Sequence, residues 1–263
     1  MEIGRMGKAT LLLLVVSLGG CGTRVDSDAR ELEAEGSGGP STGGGAATPP
    51  PAMNSCGEPP IGGEDALIDD LEDGDGRLRL VDGRDGGWFV INDQTGTQLP
   101  AGAIVPETGE GADGSEGFVR TMGQGFSGWG AAIGVNFHGN PSCPYDASAF
   151  SGVSFYARGD STISVQVSTA ATVPIATGGD GTCQKPGGSP DEGCYGTHRK
   201  DVELSADWQH YSLSWDELVQ PSWGTPAALE PSRVIALQFT VLEDEALDFD
   251  FAVDEVAFTQ EQP

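Results

Sequence analysis

The chain is expected to fold as an all-β, antiparallel β-sandwich of jelly-roll form. Three observations predict this. Apolar and polar residues alternate with period two in several short segments, Gly and Asp clusters separate those segments, and only one short stretch has a helical pattern. Period two with one apolar face means a strand with one side on a core. Many short strands with turn-rich links and almost no helix define a sandwich or jelly roll.

The N-terminus is set apart from the fold. Arg5 and Lys8 precede an apolar run from Leu11 to Leu18, which ends in Leu18-Gly19-Gly20-Cys21. A basic start, a short apolar core and small residues at the cut make residues 1–20 a secretory signal peptide. The run is shorter than the roughly 20 apolar residues a membrane-spanning helix needs. The segment resembles the lipobox of bacterial lipoproteins, where signal peptidase II cuts before a lipid-modified cysteine, here Cys21. Gly19 stands where that pattern usually has Ala or Ser. An ordinary signal peptide with an unrelated cysteine is the alternative. The resemblance implies an exported, lipid-anchored protein of the cell envelope. Gly22, rather than Asp, after Cys21 permits sorting to an outer membrane or cell surface.

Residues 21–55 are expected to be the lipidated cysteine and a tether. The stretch 36–51 (GSGGPSTGGGAATPPP) has no apolar period and few side chains to bury. Residues 56–263 then form one β-jelly-roll domain, a length that suits one sandwich better than two domains. The strand signals fall at Val153–Ala157, Ile163–Val167, Leu237–Val241 and Asp248–Asp254. Leu213 to Val219 (LSWDELV) looks like a short helix.

The formal net charge is -27, and removing Glu2, Arg5 and Lys8 with the signal peptide makes it -28. A chain this acidic repels phosphate backbones and itself, so a nucleic-acid partner is excluded and a monomer is expected. Four cysteines remain after Cys21: Cys56, Cys143, Cys183 and Cys194. An even number in an exported chain reads as two disulfides, each worth about 2–4 kcal/mol. Three pairings are open. Cys183 with Cys194, across a Gly/Pro loop, is favoured, and Cys56 with Cys143 follows by elimination. A zinc site would compete, but no Cys-x-x-Cys spacing exists and the histidines are only His138, His198 and His210.

The chain has no Gly-x-Ser-x-Gly elbow, no His-Glu-x-x-His and no P-loop. It is read as a non-enzyme. The acidic run Asp69-Asp70-Leu71-Glu72-Asp73-Gly74-Asp75-Gly76 has the hard oxygen donors that calcium prefers. A solvated acidic turn is the alternative. First and last strands of a jelly roll often lie side by side, so Glu72 and Asp254 are positioned to share one ion. Trp208 is expected in the core. Trp129 and Trp223 sit in Gly- and Pro-rich loops, where an indole can form a flat platform for a sugar ring. His198, in Thr197-His198-Arg199, is either a surface histidine or a polar ligand contact.

In order, these segments resemble a family-11 carbohydrate-binding module, within the galactose-binding-like jelly rolls. Leu67-Ile68-Asp69-Asp70-Leu71-Glu72 is similar to the family's opening Leu-Asp-Asp-Phe-Glu. Gly128-Trp129-Gly130, then Phe150-Ser151-Gly152-Val153-Ser154-Phe155-Tyr156-Ala157-Arg158, resemble its turn before a strand and a core strand. Asp207-Trp208-Gln209 through Trp215-Asp216-Glu217-Leu218 resembles its Trp-Lys strand and short helix. Val234 to Phe239 and Phe251-Ala252-Val253-Asp254-Glu255-Val256 resemble its closing pair. The resemblance covers about 66–258. It implies a jelly roll with structural calcium held by Asp70, Glu72 and Asp254. It also implies polysaccharide (β-glucan) binding on a concave face, with His198 and Trp223 near ligand positions. Val241 stands roughly where the family has a tyrosine, and related domains without a sugar ligand exist. A structural or protein-interaction lipoprotein is therefore the alternative function.

Overall fold

The computed structural model describes residues 56, 59–63, 65–175, 179–189, 191–242 and 248–260. The expected signal peptide, the expected lipidated Cys21 and the expected tether lie outside the described residues. The described part falls in the unit Pro51–Pro263.

Among the described residues, twelve strands run in the order β1 (Leu67–Asp69), β2 (Gly87–Asn92), β3 (Thr97–Leu99), β4 (Glu107–Thr108), β5 (Gly117–Gln124), β6 (Ala131–Asn136), β7 (Gly152–Gly159), β8 (Thr162–Thr169), β9 (His198–Glu203), β10 (Gln209–Ser214), β11 (Val234–Val241) and β12 (Asp248–Thr259). They form two antiparallel sheets. The larger has the order β10-β7-β12-β5-β3, with β1 beside β12 and β4 beside β5. The smaller is β2-β6-β11-β8-β9. The expected all-β jelly-roll sandwich is the fold observed.

The alternation seen in the sequence explains the packing. In β8, Ile163, Val165 and Val167 are buried in the core, as are Leu237, Phe239 and Val241 in β11. Phe239 stacks on Trp88 with ring centroids 6.3 Å apart and meets Phe155 edge-on at 5.0 Å. A second aromatic group, Phe137, Tyr145, Phe150 and Phe258, closes one end of the sandwich. Arg84 lies fully buried against it. Its guanidinium is satisfied by the carbonyls of Leu67 and Asp65, at 2.8 and 3.1 Å, and faces the rings of Tyr145 and Phe258.

First and last strands are neighbours, as expected: Leu67 pairs with Ala257 and Asp69 with Val256. Two expectations are corrected. Leu213 to Val219 is not a helix of two turns. Leu213 is a strand residue opposite Val153, and only Trp215–Glu217 makes a single 3-10 turn. The Glu217 carboxylate accepts the Ser214 N–H at 2.9 Å, which fits one turn and no more. Trp208 is not in the core. Its indole covers the Arg158 guanidinium at 4.6 Å on the outer face of the larger sheet and donates to the Glu110 carbonyl at 3.0 Å. Its neighbours in Asp207-Trp208-Gln209-His210 are mostly exposed, and alternation there is too weak to set the face.

Candidate functional site: the carboxylate corner and the outer face of the smaller sheet

The acidic residues singled out in the sequence meet at one corner. β12 is irregular between Asp254 and Ala257, with Glu255 at φ 48°. This bulge lets Asp254 point into the 111–117 loop. Its Oδ2 accepts the Ala112 N–H and its Oδ1 the Glu255 N–H, both at 2.7 Å. Leu71 also sits in the left-handed region, at φ 62°, and turns Glu72 to the same loop. There Glu72 Oε1 accepts the Ser115 hydroxyl at 2.8 Å and the Glu116 and Gly117 N–H groups at 2.8 and 2.7 Å. Asp70 Oδ1 accepts the Glu72 N–H at 3.4 Å. The two chain ends are thus tied to one loop.

Charge accumulates at this corner. Burial pushes the Asp254 carboxyl up, and Glu72 adds to it. Burial also raises Glu255, with Asp254, Asp70, Glu72 and Asp113 all contributing repulsion. Glu72 is held below its ordinary value by its hydrogen bonds, the Gly117 N–H first. Next door, burial pushes Asp69 up to about 6 although Trp88 Nε1 donates to it at 2.7 Å. Among the described residues no three His, Cys, Asp or Glu side chains are gathered to hold a metal ion. What the corner offers a divalent cation is donor type and uncompensated negative charge.

The second feature is the face of the smaller sheet turned away from the core. Antiparallel register places directly opposite residues on the same face. Phe89 stands opposite Gly134, Gly134 opposite Gln238, Gln238 opposite Gln166, and Gln166 opposite Arg199. One row therefore crosses all five strands and is polar on three of them, β11, β8 and β9. The next row is Ile91, Ala132, Thr240, Ser164 and Asp201. Gly134 is needed here, because a Cβ would come within 2.5 Å of the Leu237 carbonyl oxygen and 2.9 Å of the Phe89 ring. Thr197 donates to Gln166 Oε1 at 2.6 Å, and the hydroxyls of Ser164 and Thr240 are buried without a partner. Arg199 makes no ion pair among the described residues.

The sequence-predicted ligand residues are not brought together. Trp129 is 45% exposed in the 127–130 turn, which Asp93 Oδ2 holds by accepting the Gly128 and Gly130 N–H groups. That turn enters β6 at Ala131, opposite Val241. His198 is opposite Val167, which is opposite Leu237. The two residues are thus at opposite corners of the sheet, roughly 13 Å apart along the strands and roughly 14 Å across them. His198 also shares the core face with Val167 and is buried, with Nε2 3.1 Å from the Ala227 carbonyl. It does not reach the outer face. Trp223 is 60% exposed beside Gly196, in the loop that follows Val219, the residue bridged to Arg199.

Burial pushes the His198 pKa down, more than the Ala227 carbonyl raises it. The folded state therefore holds it neutral at a pH where the unfolded chain, with an ordinary histidine pKa of about 6.5, takes up a proton. Its contribution to stability is complete above about pH 6.5 and is lost as the pH falls toward the folded pKa. His198→Gln is expected to remove this loss. In thermal melts from pH 8 to pH 5, wild type should fall relative to the variant on the acid side. A constant difference in Tm across that range would refute it.

No protein-family model matches the chain, and no curated protein does. Among solved structures, the chain is similar to a family 11 carbohydrate-binding module of the cellulosomal cellulase Lic26A-Cel5E of Clostridium thermocellum. That match has 12% identity, covers 76% of this chain and 95% of that one, and has a TM-score of 0.46. A family 11 module from the same organism, in complex with a β-1,3-1,4-mixed-linked tetrasaccharide, matches at 11% identity over 74% and 95%, with a TM-score of 0.43. A family 30 module of cellulosomal cellulase Cel9D-Cel44B of Clostridium thermocellum matches at 15% identity over 67% and 92%, with a TM-score of 0.46. The likeness concerns the jelly-roll fold, which the two sheets already define, and brings no ligand with it.

Proposed function

We propose that this protein is a non-catalytic glycan-binding module, exported and held at the cell envelope by a lipid on Cys21. The observation that carries this reading is the polar row Gln238, Gln166 and Arg199 with Phe89 at one end, on a sheet face that the core does not use. Amide, guanidinium and carboxylate groups are what hydroxyl-rich ligands hydrogen-bond to. The buried, unpartnered hydroxyls of Ser164 and Thr240 lie in the next row of that face. Trp129 and Trp223, both exposed, flank it from separate corners.

Calcium belongs to this reading as a structural ion. Asp70, Glu72 and Asp254 would hold it, and the ion would neutralise charge where burial first, and neighbouring carboxylates second, raise Asp254 and Glu255. At about 100 times its dissociation constant, the ion would add about 2.7 kcal/mol to stability.

One observation favours the alternative of a structural or protein-interaction lipoprotein. Phe89 is the only aromatic in the two rows, and it packs under Ala170 and Val173. A glycan array with the full chain, run with calcium and with chelator, separates the two. Binding to one polysaccharide class, together with a Tm lowered by chelator, is expected. No binding by protein shown to be folded would overturn the glycan reading, and identical melts with and without chelator would overturn the calcium site.

A further inference from the structure

Two aromatic side chains stand out of the surface where two loops meet. Tyr195 is 55% exposed and Trp223 is 60% exposed, and each is followed directly by a glycine. Those glycines, Gly196 and Gly224, press their backbones together. A Cβ on Gly196 would come within 2.7 Å of the Gly224 Cα and 3.5 Å of the Trp223 ring, so no side chain fits there. The contact sets the two aromatics side by side. With 3.8 Å between consecutive Cα atoms, the edge of the Trp223 ring lies within roughly 9 Å of the Tyr195 Cα.

Both loops are firmly held. The Cys183–Cys194 disulfide closes the first of them one residue before Tyr195. The Thr225 N–H donates to the Gly193 carbonyl at 2.6 Å, tying loop to loop. Gln220 joins them again, its Nε2 donating to the carbonyls of Gly196 and Thr225 at 2.8 and 2.9 Å. The Tyr195 N–H donates to the Thr172 carbonyl at 2.7 Å, and Thr172 belongs to a strap, 170–173, that leaves the end of β8. Ala170 and Val173 of the strap pack with Ile235 and Ala236 of β11 and against Phe89 of β2. Thr182 and Cys183 donate N–H groups to the carbonyls of Ala170 and Val173 at 2.8 and 3.0 Å, so the disulfide-closed loop supports the strap as well as Tyr195.

The backbone at Tyr195 has a φ of 63°, the left-handed region, which a bulky side chain enters at a cost and glycine does not. A large ring kept in that conformation and aimed at water does little for the fold, and strain of this kind gathers at ligand clamps. The size of the patch says what it takes. Beyond the two rings it holds Val219, 67% exposed and bridged to Arg199. An aromatic side chain can bury about 150–250 Å². The patch therefore falls short of the roughly 800 Å² that a stable protein complex buries on each partner. It is large enough for the faces of sugar rings. The net charge of -27 repels uronate and sulfate groups, which leaves neutral sugars. β-Linked pyranoses with equatorial hydroxyls present apolar C–H faces, the surface that an aromatic ring covers.

We infer that Tyr195 and Trp223 form a two-ring stacking platform for a neutral, β-linked glycan chain. This rests on the glycan-binding reading above, and the experiment distinguishes the two. Titration calorimetry of the full chain uses hexasaccharides of β-1,4-linked glucose, mannose and xylose, with the hexasaccharide of β-1,4-linked mannuronic acid as the acidic counterpart of mannose. Wild type is expected to bind at least one neutral probe, and the acidic one about tenfold more weakly or not at all. Tyr195→Gly should weaken binding about tenfold, about 1.4 kcal/mol. Its Tm should stand at or above that of wild type, because glycine relieves the left-handed backbone. Tyr195→Ala should lose the same affinity, and it keeps the test open if the glycine variant does not fold. Tyr195→Phe retains the ring and should bind within about twofold of wild type. Unchanged affinity in the folded Tyr195→Gly and Tyr195→Ala variants would overturn the platform and leave glycan binding standing. Equal or tighter binding of the acidic probe would overturn the neutral ligand class. A wild-type dimer in sedimentation that Trp223→Ala dissolves would assign the rings to self-association and overturn the platform too. Binding of folded wild type to none of the four would overturn the glycan reading and the platform with it.

Discussion

Replacing Cys56 and Cys143 by serine is expected to cost about 4.6 kcal/mol, far more than the same change at Cys183 and Cys194, at about 2.8 kcal/mol. The difference is a matter of loop length. The first bridge spans 87 residues and the second 11. A cross-link stabilises chiefly by removing conformations from the unfolded chain, and the longer loop removes more. Cys56 also pins the start of the domain, since Ile61 bridges to Asp146 and Gly62 donates to the Asp146 carbonyl close by. Denaturant midpoints of the two double variants, measured under identical conditions, check this. Equal losses, or a larger loss at the short loop, would refute the loop-length account.

Arg199→Ala is expected to weaken glycan binding by about thirtyfold or more, roughly 2 kcal/mol, with the Tm unchanged. Its backbone already pairs with Val167's neighbour Gln166 on one side and Val219 on the other, so the strand does not need the side chain. The guanidinium closes the polar row without an ion pair among the described residues, so removing it leaves no buried carboxylate unpaired. Arg199→Lys should recover little, because an ammonium lacks the planar fork that holds two neighbouring hydroxyls. Trp223→Ala is also expected to lower affinity at unchanged Tm, by a smaller factor, since its indole lies 60% exposed at a corner of the face. Titration calorimetry of the three variants against the polysaccharide found on the array decides it. Wild-type affinity in Arg199→Ala would remove the outer row from the binding site.

Some of this site was written in the local pattern. Ser164, Gln166, Gln238 and Thr240 are the polar partners of the alternation that marked β8 and β11 as strands. Nothing in that pattern says that they face a binding surface rather than plain solvent. That requires knowing that β8 and β11 are neighbours, and in which register, although residues 167 and 237 are far apart in the chain. Arg199 and Phe89 join the row only through two further strand pairings. His198 shows the same limit from the other side. Its neighbour Arg199 points outward and His198 points in, and one residue of register decides which.

The sequence by itself determined the fold class, the strands of strongest alternation and the meeting of the first and last strands, and it favoured the cysteine pairing that the structure then fixed. These follow from local periodicity, from turn chemistry and, for the cysteines, from the short Gly/Pro loop between Cys183 and Cys194. Only the tertiary structure decided that Trp129 and His198 stand at opposite corners, that Trp208 covers Arg158 outside the core, and that the Cys183–Cys194 loop props a strap over the sheet. Each of these depends on which strands became neighbours. Pairing between distant segments is set by the packing of the whole core, and no short stretch of sequence carries that information.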